Sequence, residues 1–220
     1  MKGRAVPIAR DSLRFLIPLG IVGLVFLLLG WEIPAGLSAI CFLFVLYFFR
    51  DPERQIPSGS NLFLSPADGT VSAVEKFQDE ASGSRENWRV AIFLSVFNVH
   101  VNRFPVRGRV VSLNYRPGKF LPAYHQQASR ENEQNILVIQ GSMGPVVVKQ
   151  IAGVLARRIV CWVRKDQELD AGERFGLIRF GSKVEVIMPA WMTLNVAVGD
   201  RVKGGVSILA RVPEDSHALV

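Results

Sequence analysis

The sequence predicts a mostly β domain with minor α content, barrel-like or sandwich in form, preceded by an N-terminal hydrophobic helical hairpin. Three observations predict it. From Phe15 to Phe49 the chain carries a single charge, Glu32. Beyond residue 61, short apolar and β-branched runs recur between Gly, Pro and Asn, several with period two. The 220 residues are 49% hydrophobic and 20% charged, with a mean hydropathy of +0.25, so an apolar surplus must sit outside an ordinary soluble core.

The surplus divides at Glu32-Ile33-Pro34 into two apolar arms, Phe15 to Trp31 and Ala35 to Phe49. Each is shorter than the ~20 residues of a comfortable span, and a single span would bury Glu32 and Pro34 near the bilayer centre. A hairpin avoids this, with Gly30 to Pro34 as its turn and Trp31 and Tyr47 at the two interfaces. Lys2, Arg4, Arg10 and Arg14 precede the first arm, and Arg50 and Arg54 follow the second, so both ends are expected on the cytoplasmic side of the cell (inner) membrane. A cleaved signal peptide fits less well, because the apolar run resumes at once after Ala35-Gly36-Leu37. The expected organisation is an anchor over 1–50, a Pro/Ser/Gly linker over 51–61 and a β-rich domain over 62–220.

Within that domain the expected strands are Gly69 to Glu75, Trp88 to Ser95, Arg109 to Tyr115, Asn135 to Gln140, Pro145 to Ile151, Gly176 to Phe180, Lys183 to Met188 and Val206 to Val212. Val184-Glu185-Val186-Ile187 and Val206-Ser207-Ile208-Leu209 alternate as half-buried strands do. Ile151 to Val163 reads equally as a short helix or a bent pair of strands. Gly118 to Asn135 reads as a long exposed loop, and loops of that length are often functional.

Net charge is +7, but residues 51–220 hold 21 basic and 17 acidic residues, a net of +4. There is no Lys/Arg block, zinc-type spacing or aromatic-basic RNA motif, so an anionic lipid surface is expected as partner and nucleic acid is not. Cys41 lies in the second arm and Cys161 stands alone in the remainder, which suits a reducing compartment without disulfides.

Three segments can carry chemistry: Ser65-Pro66-Ala67-Asp68-Gly69-Thr70-Val71, Phe97-Asn98-Val99-His100-Val101-Asn102-Arg103 and Arg179-Phe180-Gly181-Ser182-Lys183-Val184. Singly, each has a plainer reading: a β-turn, a core histidine, a turn between strands. Jointly they supply a carboxylate, an imidazole and a hydroxyl, the elements of a relay that activates a serine. Gly181 before Ser182 leaves the preceding carbonyl open to attack from within the chain. A Gly-x-Ser-x-Gly elbow is absent, which disfavours an ordinary serine hydrolase.

The order of these motifs, the placing of Gly181-Ser182 near the C-terminal end, and the apolar N-terminus resemble the phosphatidylserine decarboxylase proenzymes in their short bacterial or archaeal form. The resemblance spans about residues 50–212. It implies that Ser182 attacks the Gly181 carbonyl in an N→O acyl shift. Elimination then separates a β chain, 1–181, from an α chain, 182–220, which stay together as a heterodimer; any higher oligomer is left open. Ser182 becomes an N-terminal pyruvoyl group, an electron sink doing the work of pyridoxal phosphate without that cofactor and without a metal. The implied substrate is phosphatidylserine in an anionic membrane, and the products are phosphatidylethanolamine and CO2. Catalytic roles are implied for Asp68, which orients His100, for His100 as base, and for Ser182. Long-form members carry a His-x-x-His pattern where this chain has Phe97-Asn98-Val99-His100, so the first histidine is missing and the proton donor for decarboxylation is left open between His100 and another residue.

Arg103, Arg116 and Lys119 are candidates for the lipid phosphate by charge only, and His125 is a candidate proton donor, although solvated loop positions explain each more simply. Two other readings are a membrane-anchored, non-enzymatic hammerhead-type adaptor, suggested by the Gly-rich turns near Asp68 and at Gly204-Gly205, and an anchored serine hydrolase. The adaptor lacks a lipoyl or biotinyl lysine at its tip.

Overall fold

The computed structural model describes residues 8–59, 61–79, 85–125, 127–154, 158–179 and 182–213. The chain forms two compact units, Met1–Glu53 and Arg54–Val220.

The first unit is a helical hairpin. A 3-10 turn, Arg10–Ser12, leads into α1 (Leu13–Leu28), and α2 follows over Glu32–Phe48. The turn is tighter than the sequence suggests. Gly30 takes a left-handed φ of 73°, and Glu32, Ile33 and Pro34 already form the first turn of α2. Proline is tolerated there because first-turn N–H groups have no helical acceptor to lose. At the open end Ala9 N donates to Phe49 O at 2.8 Å and Phe15 stacks on Phe49, so the basic residues Arg10, Arg14 and Arg50 share one end. The helices meet at small residues, Gly23 against Ser38, while Leu24, Leu27, Ile33, Leu37, Ile40 and Leu43 face outward. The segment Arg10–Leu28 is long and apolar enough to cross a membrane, and Glu32–Phe48 is shorter.

The second unit is built on antiparallel strands: β1 (Leu62–Leu64), β2 (Gly69–Asp79), β3 (Arg85–Leu94), β4 (Val101–Arg103), β5 (Gly108–Arg116), β6 (Gln134–Gly141), β7 (Gly144–Ala152), β8 (Ile159–Cys161), β9 (Glu168–Leu169), β10 (Arg174–Ile178), β11 (Ser182–Pro189), β12 (Thr193–Leu194), β13 (Arg201–Val202) and β14 (Ile208–Arg211). One short helix, α3 (Ala128–Glu131), interrupts the segment expected to be loop. Eight strands make one sheet in the order β13-β2-β3-β11-β7-β6-β5-β9, and two three-stranded sheets, β1-β14-β12 and β4-β10-β8, complete a sandwich-like core. The large sheet is open, with very short strands at both edges, so the barrel form of the expectation is not the one adopted. Short edges leave little unpaired backbone to recruit another chain.

All eight expected strands are present, with Phe180 outside the described residues. Ile151 to Val163 contains the end of β7 and the strand β8, with 155–157 outside the described residues.

Period-two alternation sets the inner face of the large sheet in rows. Val90, Val186, Val148 and Leu137 form one row, and all are fully buried. The next is Ile92, Val184, Gln150 and Asn135, and the last is Leu94, Ser182 and Ala152. Phe63, Phe104, Phe175, Ile178 and Leu209 close the core from the smaller sheets, with Phe104 and Phe175 edge to face.

Candidate active site

Ser182 opens the central strand β11, paired with Leu94 on one side and Ala152 on the other, and is fully buried. Its Oγ has no hydrogen-bond partner among the described residues. A buried hydroxyl without a partner is costly, so its position demands another use. Gly181 lies outside the described residues.

His100 comes to the same end of the sheet. Strand β3 leaves at Leu94, opposite Ser182, and the turn that follows returns the chain at His100 to start β4, which pairs with β10. Ile178 N, shortly before Ser182 in the chain, donates to His100 O at 3.3 Å. The imidazole is buried, with Nδ1 2.9 Å from Asn98 O. A carbonyl only accepts, so Nδ1 carries the proton and Nε2 is the basic nitrogen.

Asp68 precedes Gly69, the first residue of β2, and Thr70 pairs with Phe93 beside the Leu94–Ser182 register. Its carboxylate is held from two sides: Arg54 Nη2 donates to Oδ2 at 2.8 Å and Gly204 N donates to Oδ1 at 2.8 Å. Arg103 N donates to Pro66 O at 2.9 Å and ties the 65–68 turn to β4. Gly69 makes this approach feasible, because a Cβ there would lie 2.1 Å from Phe93 O.

Sequence reading missed a buried amide chain behind Ser182. Asn135 Nδ2 donates to Gln150 Oε1 at 2.9 Å, and Gln150 Nε2 donates to Asn102 Oδ1 at 2.8 Å. Gly176 leaves room for it, since a Cβ there would meet Val160 O at 2.3 Å and the Gln150 amide at 3.1 Å. Asn102 Nδ2 is buried and has no partner among the described residues. The signal was available as three amides within otherwise apolar strand patterns.

On the other face of β11, Lys183 and Glu185 are both buried. Ser129 of α3 bridges them, with Lys183 Nζ 2.5 Å from its Oγ and that Oγ 2.5 Å from Glu185 Oε1. Burial pushes the Lys183 ammonium below its ordinary value, and the Glu185 carboxylate pulls the other way. Burial also raises the Cys161 thiol, which makes it a poor nucleophile.

Among the charge-only candidates, Arg103 is buried with Nη1 donating to Gly172 O, Arg116 is exposed, and Lys119 pairs with Glu131. His125 is exposed beside Tyr124.

The family model for phosphatidylserine decarboxylase matches residues 41–210. The chain belongs to the phosphatidylserine decarboxylase family. A relative named phosphatidylserine decarboxylase proenzyme, from Geotalea uraniireducens (strain Rf4), is 43% identical over 218 residues, covering 97% of this chain and 100% of the relative. The family match takes in the Asp68 turn, His100, the amide chain and Ser182 together, across both chains that processing at 181/182 would produce.

Proposed function

We propose that this chain is a self-processing phosphatidylserine decarboxylase, made as a proenzyme and cut between Gly181 and Ser182. The observation that carries the reading is the buried Ser182 hydroxyl without a partner among the described residues, at the head of a central strand and at the end of the sheet that His100 reaches.

His100, through Nε2, takes the hydroxyl proton as Ser182 Oγ attacks the Gly181 carbonyl. The amide C–N bond breaks as the ester forms, and the proton goes to the freed amine. Elimination removes the Cα proton of residue 182 and expels the residue 181 carboxylate. Water then converts the resulting enamine to a ketone with loss of ammonia. The pyruvoyl group so formed supplies the electron sink for decarboxylation of an amino-acid headgroup. Asp68 supports His100 by fixing the 65–68 turn against β4. Ser182 is buried in the chain, a position that suits attack on its own neighbouring Gly181 carbonyl, which needs no access from solvent.

Strand order supports a reading in which the two chains would stay joined. The 182–220 segment contributes β11 between β3 and β7, and β14 between β1 and β12, so cutting the β10–β11 connection leaves both pieces in shared sheets. On this reading the hairpin is an anchor at the inner membrane, and the basic residues Arg10, Arg14 and Arg50 at one end of it support a cytoplasmic orientation.

Intact-mass measurement of the wild type and of Ser182→Ala tests the reading. The wild type yields two chains, the smaller spanning 182–220 with a blocked N-terminus, and Ser182→Ala yields one chain near 24.4 kDa without decarboxylase activity. Two-chain processing in Ser182→Ala would overturn it.

A further inference from the structure

Loops beyond the Leu94–Ser182–Ala152 row expose a set of large apolar side chains. Phe97, 66% exposed, sits in the turn that leaves β3. That turn is pinned, because Ser95 N and Ser95 Oγ both donate to Asn98 Oδ1 at 2.8 Å and Asn98 N donates to Ser95 O. Val154, 51% exposed, lies just past Ala152. Phe120 and Tyr124, 38% and 73% exposed, follow β5, whose last residue Arg116 pairs with Gln134 at the same end. Their loop is held by Asn132, whose side chain accepts from Leu121 N and donates to Leu121 O.

Single exposed apolar residues are ordinary. Here Phe97, Phe120, Tyr124 and Val154 occupy three separate loops that surround one end of one sheet, and two of the loops are braced by buried or part-buried side-chain amides. Exposed Arg116, Arg130 and Arg158 lie in or beside the same connections. At the sheet's opposite end, Trp191 is the exposed large aromatic side chain among the described residues.

We propose that this Ser182 end is an interfacial docking surface for an anionic bilayer. Phe97, Phe120, Tyr124 and Val154 enter the headgroup layer and the three arginines face lipid phosphate and carboxylate oxygens. The inference rests on Ser182 being the reaction centre, since a lipid substrate must then pass from the bilayer to this end. Aromatic and aliphatic side chains at a headgroup boundary, backed by basic residues, are the ordinary means of seating a protein on such a surface. The occupant is a membrane and not a protein partner, because the family's substrate is itself a membrane lipid and the charge of the surface matches it.

The full-length chain carrying Phe120→Ser and Tyr124→Ser provides the test, assayed on phosphatidylcholine vesicles holding one-quarter phosphatidylserine and on a short-chain phosphatidylserine dissolved as monomers. The expected result is normal self-cleavage, an interfacial KM raised about tenfold on vesicles, and unchanged turnover of the monomeric lipid. An unchanged vesicle KM, or an equal loss on both substrates, would overturn the docking surface. Ser182→Ala in parallel keeps the two readings apart: its processing reports on the reaction centre, and the vesicle-to-monomer ratio reports on docking.

Discussion

Gln150 and Asn102 join the two facing sheets one row behind Ser182, the Gln150 amide donating to Asn102 Oδ1 at 2.8 Å in a layer otherwise filled by Ile92, Val184 and their neighbours. With Asn135 they form a polar seam in an apolar face. Such a seam fixes register, because sliding either strand would strand buried amides without partners.

Gln150→Leu therefore removes the middle of the seam and leaves Asn135 and Asn102 unmatched. The expected loss is about 2–3 kcal/mol, read as a lower denaturation midpoint, together with slower self-cleavage. Near-wild-type stability would mean that the seam is dispensable.

Gly69→Ala acts at the neighbouring register. Its Cβ would lie 2.1 Å from Phe93 O and 2.9 Å from Ile92 Cγ2, and the first of these is backbone that cannot turn aside. The β2–β3 pairing has to open where Thr70 meets Phe93. Loss of roughly 2–3 kcal/mol is expected, with accumulation of uncut chain on a denaturing gel.

Asp68 separates charge from geometry. Asp68→Asn retains an oxygen for Gly204 N, whereas Asp68→Ala empties the turn and leaves the buried Arg54 guanidinium without its carboxylate. Self-cleavage is expected to persist in Asp68→Asn and to fail in Asp68→Ala, and Arg54→Ala is expected to slow it. Equal failure of Asp68→Asn would show that the charge itself is required at His100.

Much of this architecture was legible in the sequence. Period-two runs located the eight expected strands, and the apolar arms located both helices, because each pattern extends over enough residues to define a face. Very short strands, such as Val101–Arg103 and Arg201–Val202, carry no period and escaped notice. Arg54 read as linker, since nothing local signals that it reaches forward to Asp68. Pro34 read as a breaker although a helix begins around it. Asp68, His100 and Ser182 were recognisable by type, but the Asn98 carbonyl that sets the imidazole tautomer is a backbone atom and has no sequence signature.

Lys183 and Glu185 carry the last prediction. Both side chains are buried, Nζ is 3.5 Å from Oε1, and Ser129 bridges them. Removing one partner leaves an uncompensated buried charge, so Lys183→Met alone is expected to cost about 3–5 kcal/mol, while Lys183→Met with Glu185→Gln recovers most of that loss. The pH dependence has a definite sign. Burial depresses the folded-state Lys183 value below the ordinary 10.5, so between the two values the unfolded chain binds more protons than the folded one, and stability rises with pH across that window. Denaturation midpoints of the wild type, measured against the double variant from neutral to alkaline pH, are expected to climb relative to it as the window is entered. A falling difference would mean that Glu185, not burial, governs the ammonium.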